Sequence, residues 1–193
     1  MTRASSHLET EIKLRIEKPA AVRRQLVRLG FSIAKRRVFE SNTVFDTPTG
    51  DLRAARNLLR LRQAGTVHTL TFKGPPAAGP YKSREELEAR FTEVASLGLI
   101  LERLGYAPVF RYEKYRTEYA AANRAGAAML DETPIGDFLE LEGPGRWIDR
   151  AARALGFSPA DYITASYSSL YQQYCVSKGI SPANMVFSRA ARK

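Results

Sequence analysis

Glu9, Glu11 and Lys13 stand two residues apart in the segment Leu8 to Ile16, where Leu8, Thr10, Ile12, Leu14 and Ile16 fill the other positions. Alternate side chains of an extended strand share a face, so two carboxylates and an ammonium point the same way. The pattern returns along the chain. Arg60 and Arg62 alternate with Leu59 and Leu61, Thr71 and Lys73 with Leu70 and Phe72, and Glu140 and Glu142 with Leu139 and Leu141. Arg84, Glu86 and Glu88 share a face, as do Lys114, Arg116 and Glu118. Carboxylates of this kind suit hard divalent cations, Mg2+ or Mn2+. Arginine and lysine suit phosphate oxygens, arginine often in bidentate fashion. One such run reads as the solvated face of a strand. Six runs read as a shared interior if helices cover the apolar side of a closed sheet, because about eight strands leave room for side chains or one small ligand. A dry interior of this composition would cost several kcal/mol for each unpaired ion, whereas a wet one holding metal and polyphosphate would not.

The elements that must carry these residues follow from periodicity and punctuation. After the first strand, Ala20 to Leu29 is amphipathic and stops at Gly30. Ser32 to Phe45 is strand-like and closes in the turn Asp46-Thr47-Pro48-Thr49-Gly50. Leu58 to Arg62 and Val67 to Lys73 form a hairpin around Ala64-Gly65, and Gly74 to Pro80 is a loop. Tyr81 to Phe91 is a strand, and Glu93 to Leu104 a helix ending at Gly105. Val109 to Ala120, Ala127 to Glu132 and Asp137 to Glu142 are strands. Helices follow over Arg146 to Leu155 and Thr164 to Lys178. About eight strands with interspersed helices, no repeat and no low-complexity linker make an α+β fold of one domain over residues 1–193, its core at about 7–178, with the last dozen residues loose.

At 193 residues the chain removes roughly 70% of its extended surface from water on folding. Thirty Lys and Arg against twenty Asp and Glu give a net charge of +10, which predicts an anionic partner without saying which. Cys175 is the only cysteine, which excludes an internal disulfide and a cysteine zinc cluster; His7 and His68 lie far apart. No apolar run reaches the ~18 residues of a membrane span, and Met1 to His7 lacks the apolar core of a signal peptide. A cytoplasmic protein, monomer or homodimer, is expected.

Glu9-x-Glu11-x-Lys13 resembles the ExExK signature of the CYTH superfamily, the triphosphate tunnel metalloenzymes. The motif is weak alone, but its followers arrive in the family's order from roughly Leu8 to Leu170. They are Asn42 with Phe45-Asp46-Thr47, Leu59-Arg60-Leu61-Arg62, Leu70 to Pro75, and Arg84-Glu85-Glu86-Leu87-Glu88. Glu113-Lys114-Tyr115-Arg116, Leu130-Asp131, Ile135 to Glu142, and Ser166-Tyr167 with Leu170 complete the series. The resemblance implies a closed eight-stranded antiparallel β barrel with helices outside. Within it Glu9, Glu11, Glu140 and Glu142 would hold Mg2+ or Mn2+, and Lys13, Arg60, Arg62, Lys73, Lys114 and Arg116 would grip a triphosphate. Glu86, Glu88 and Asp131 are further acidic contacts, placed with Lys13 in the catalytic set. The register of Arg84 and Arg111 stays open. Tyr167 either reaches the tunnel mouth or packs the last helix on the barrel. Trp147, Tyr171 and Tyr174 read as packing residues; His7, His68 and Cys175 as structural ones.

The implied chemistry is in-line phosphoryl transfer, with cations absorbing the developing charge and water attacking the terminal phosphate of inorganic triphosphate, thiamine triphosphate or a nucleoside triphosphate. A class IV adenylyl cyclase, making cyclic AMP and pyrophosphate from ATP, is the alternative within the family. A non-catalytic polyphosphate or nucleic-acid binding module is the alternative outside it. Nucleic acid is the weaker expectation, because carboxylates accompany the cations at matching strand positions and would repel a phosphate backbone without metal.

Overall fold

The structure, a computed structural model, describes residues 7–91, 95–122 and 125–188. Its strands are β1 (His7–Ile16), β2 (Ser32–Asp46), β3 (Leu58–Ala64), β4 (Val67–Lys73), β5 (Lys82–Phe91), β6 (Ala107–Ala120), β7 (Ala127–Thr133) and β8 (Gly136–Glu142). They close into an antiparallel barrel in the order β1-β5-β4-β3-β2-β6-β7-β8. The helices are α1 (Pro19–Arg28), α2 (Asp51–Ala54), α3 (Ala95–Arg103), α4 (Gly145–Ala154) and α5 (Tyr167–Lys178), with a 3-10 turn at Pro159–Asp161. Among the described residues no helix is long and apolar enough to cross a membrane.

Alternation sorts the side chains as the sequence predicts. The outward apolar residues Ile12, Leu14, Leu130, Leu139 and Leu141 are fully buried. They pack under Val22 and Leu26 of α1 and Trp147, Ile148, Ala151 and Ala152 of α4. Gly126 lies so close to this layer that a Cβ there would meet the Trp147 ring at 2.5 Å. Gly65, at φ +61°, makes the tight turn of the β3–β4 hairpin.

α5 borders the barrel interior and is fastened on both sides. Before it, Lys13 and Ile163 exchange two backbone hydrogen bonds of 2.9 Å. After it, Met185 donates to the Arg111 carbonyl and accepts from Glu113 N–H, each at 2.9 Å. The second contact corrects the expectation of a loose C-terminus. β7 pairs with β6 only from Tyr115 onward, which leaves an open edge that Met185, fully buried, fills. Residues 189–193 lie outside the described ones.

One other boundary shifts, and one element is new. The last helix begins at Tyr167 rather than Thr164 because Ser166 caps it, its Oγ accepting from Ser169 N–H at 3.1 Å. α2 falls between the Asp46 to Gly50 turn and the strand at Leu58, a stretch to which the sequence assigns no element. It forms because Asp46 accepts three backbone N–H groups, from Thr47, Leu52 and Arg53. The start expected for α3, Glu93, lies outside the described residues.

Candidate active site in the barrel tunnel

The barrel encloses a cavity of about 990 Å³. It is lined by Glu9, Glu11, Lys13, Arg60, Arg62, Lys73, Glu86, Glu88, Lys114, Arg116, Glu140 and Glu142, so twelve of the thirteen residues singled out in the sequence meet there. Asp131 is the thirteenth. It faces inward opposite Arg116 but is fully enclosed behind the cations instead of lining the cavity. Arg84 also lines the cavity, while Arg111 turns outward to pair with Glu113 at 2.9 Å.

The cross-strand register explains the pairing. Lys13 lies opposite Glu140 and Lys73 opposite Glu86, with Nζ to carboxylate distances of 3.4 and 3.1 Å. Lys73 also pairs with Glu9, and Arg116 with Glu140. Arg62 reaches Glu88 at 3.4 Å, and Arg60 reaches Glu88 at 3.7 Å. Asp131 takes Lys114 at 2.8 Å, Arg116 at 2.7 Å and the Tyr167 hydroxyl, which donates at 2.6 Å. The Tyr167 ring lies 5.3 Å from the Lys13 ammonium and 5.2 Å from that of Lys114. Tyr167 thus reaches the tunnel interior. Trp147 is core, as expected. Tyr171 packs on Phe110 and also borders the cavity.

Two residues of this network were not anticipated. Glu40, on the inward face of β2 opposite Lys114, is 1% exposed with its carboxylate 3.7 Å from the Lys114 ammonium. Lys82 on β5 lies opposite Glu11 and pairs with it at 2.9 Å. A fully buried amide, Asn42, sits between Arg62 and Tyr112, its side-chain N and O without a partner among the described residues.

Nine basic strand residues line the cavity: Lys13, Arg60, Arg62, Lys73, Lys82, Arg84, Arg90, Lys114 and Arg116. Seven strand glutamates line it with them, namely Glu9, Glu11, Glu86, Glu88, Glu118, Glu140 and Glu142. Glu40 and Asp131 stand behind, each against Lys114, so nine cations meet nine anions and the wall is close to neutral. Asp46 at the end of β2, Arg53 of α2 and Arg56 just after it also line the cavity, which leaves the balance close to neutral.

Burial alone would push these carboxylates toward the neutral form, but their neighbours decide otherwise. Against burial, Lys13 and Lys82 hold the Glu11 carboxyl well below the usual range, and Arg116 and Lys13 do the same for Glu140. Burial pushes the Lys82 ammonium down to about 8, and Lys13 beside it adds to the effect. Glu142 behaves differently. Burial, then Glu9 and Glu11, push its carboxyl up to about 7, and among the described residues it makes no ion pair.

That difference bears on metal. Glu11 and Glu142 are directly opposed across β1 and β8, a like-charge pairing that is unfavourable without a cation. Carboxylate oxygens suit a hard divalent ion, so Glu9, Glu11, Glu140 and Glu142 fit Mg2+ or Mn2+ by donor type, and of the four only Glu142 lacks an ion pair among the described residues. Among the described residues they are not drawn into a ready-made cage. Glu9 is turned to Lys73, Glu11 to Lys13 and Lys82, and Glu140 to Arg116.

The fold and site together define a closed antiparallel barrel whose interior is an ion-paired tunnel. Residues 7–167 match the CYTH domain model, and the chain belongs to the CYTH domain family. A relative from Methanocaldococcus jannaschii named "Putative adenylate cyclase MJ0240" is 32% identical over 135 residues, 70% of this chain and 76% of its own. Among solved structures, a Vibrio parahaemolyticus protein superposes with a TM-score of 0.77 at 20% identity, covering 87% of this chain and 99% of its own. PH1819 from Pyrococcus horikoshii gives 0.73 at 24%, with 86% and 99% covered. HpAC1 from Hippeastrum gives 0.61 at 20%, with 90% and 97% covered. These structures share the fold.

Proposed function

We propose that this chain binds a triphosphate together with a divalent metal inside the tunnel and hydrolyses the terminal phosphate. The observation that carries this reading is the state of Lys13, Arg60, Lys73, Lys114 and Arg116. All are at most 9% exposed, all pair with carboxylates, and all border one cavity of about 990 Å³. Side chains held this way are pre-positioned for an anion with several charged oxygens, and the volume admits one.

In this reading the five cations, with Arg62, bind the phosphate oxygens and absorb the charge that develops as the terminal bridge breaks. Asp131 and Tyr167 hold Lys114 and Arg116 in place. Glu86 and Glu88, on the cavity wall, orient the water that adds to the terminal phosphorus while the bridging oxygen leaves with the diphosphate. A divalent ion bound by Glu9, Glu11, Glu140 and Glu142 would supply charge neutralisation of the phosphate oxygens.

The name of MJ0240 favours a second reading, cyclisation of ATP with release of pyrophosphate. HpAC1, an adenylyl cyclase by name, is described as having a dominant triphosphatase activity, which supports hydrolysis. The test is to incubate the protein with inorganic triphosphate and, separately, ATP in Mg2+ or Mn2+ and resolve the products by phosphorus NMR. Orthophosphate, released fastest from the small triphosphate, supports the proposal. Cyclic AMP with stoichiometric pyrophosphate overturns it.

A further inference from the structure

The tunnel wall is close to neutral, yet the chain carries a net charge of +10. The excess therefore lies outside the tunnel, where it does nothing for a ligand within. Part of it belongs to residues outside the described ones. Among the described residues, its clearest concentration is on α4. Arg146, Arg150 and Arg153 are spaced four and three apart, which sets them on one helical face, and all three are exposed. None of them makes an ion pair among the described residues. Asp149, the only acid in the helix, instead accepts the hydroxyls of Tyr81 at 2.8 Å and Tyr162 at 3.0 Å. α1 adds Arg24 and Arg28, one turn apart and exposed. Both helices bury their apolar faces in the same core cluster, so their outer faces look out from the same side of the barrel.

We propose that this outer face of α4, with the α1 arginines beside it, docks the phosphate backbone of a nucleic-acid duplex, without reading its sequence and separately from the tunnel. The carboxylate-matched charges that argue against nucleic acid all face the tunnel; these arginines do not. Unpaired guanidinium groups in a row complement a linear array of phosphates. α4 exposes no large apolar side chain, its apolar face is committed to the core, and α1 exposes only Val27, too little apolar surface to insert into lipid. α4 exposes no aromatic residue either, which favours backbone contact with a duplex over stacking on a single strand.

Each phosphate contact contributes about 0.9 to the slope of log K against log salt on duplex DNA, so three arginines contribute about 2.7. The experiment is anisotropy of a fluorescein-labelled 20-base-pair duplex between 50 and 200 mM NaCl. Wild type is compared with the Arg146→Gln/Arg150→Gln/Arg153→Gln variant and with Arg150→Gln alone. The triple variant is expected to flatten the slope by about 2.7 and the single one by about 0.9, with inorganic triphosphate binding unchanged in both. Saturating inorganic triphosphate should leave the duplex bound. Unaltered slopes in both variants, displacement of the duplex by triphosphate, or arginine-dependent binding to phosphatidylserine vesicles with none to the duplex would each overturn the proposal.

Discussion

Replacing Glu40 by Gln should weaken the empty protein and tighten its grip on an anion. Burial acts to raise the Glu40 carboxyl, but Lys114, Arg116, Arg62 and Arg60 outweigh it and hold the group down at about 2 against an ordinary 4.5. That lowering corresponds to on the order of 3 kcal/mol favouring the folded state. The folded value lies below the unfolded one, so the stabilisation is fully present above pH 4.5 and is lost as the pH falls toward 2. By pH 3 roughly half of it has gone. Gln stands in for the protonated acid. Urea unfolding should therefore show a gap between wild type and variant of about 3 kcal/mol at pH 7, shrinking to about 1.5 kcal/mol at pH 3. The same change leaves Lys114 and Arg116 less compensated, so the Kd for inorganic triphosphate should fall, by about tenfold if half of the lost interaction is recovered from the ligand. A stability gap that stays flat from pH 7 to pH 3, or weaker triphosphate binding in the variant, would refute this reasoning.

Glu142→Gln should lower Mn2+ affinity at least about tenfold by calorimetry without destabilising the fold, because it removes a carboxylate opposed to Glu11 that makes no ion pair among the described residues. An unchanged Mn2+ affinity would count against Glu142 as a ligand. Tyr167→Phe should cost about 1.5–3 kcal/mol in chemical unfolding, the range for a hydrogen bond to a charged group, because Asp131 loses the hydroxyl. Met185→Ala should cost about 2–5 kcal/mol for the loss of a fully enclosed side chain, whereas a loose tail would cost almost nothing.

The inward charges were legible where strands alternate without interruption, as in β1, β3, β4 and β8. Glu40 was not, because β2 carries register irregularities between Ile33 and Lys35 and between Lys35 and Val38. Irregularities of this kind break the two-residue period that sequence reading follows. Lys82 did have a signal. It lies within the expected strand Tyr81 to Phe91 and continues the face of Arg84, Glu86 and Glu88, so the two-residue period already pointed to it. α2, at one turn, is too short to show a helical period, and the carboxylate that organises it, Asp46, lies outside it. Met185 has no local pattern at all. Its burial depends on an unpaired edge of β6 that exists only once the barrel is assembled. Asp131 looks in sequence like one more acidic contact, and only the fold shows Lys114, Arg116 and Tyr167 filling its surroundings.

The central claim, that the tunnel binds a triphosphate through its buried cations, is tested most directly by titrating inorganic triphosphate with Mg2+ into the protein in a calorimeter. One site per chain is predicted, with affinity at least about tenfold weaker in Arg60→Gln and in Arg62→Gln and unchanged in Arg153→Gln. Equal affinity in wild type, Arg60→Gln and Arg62→Gln, or affinity lost only in Arg153→Gln, would contradict it.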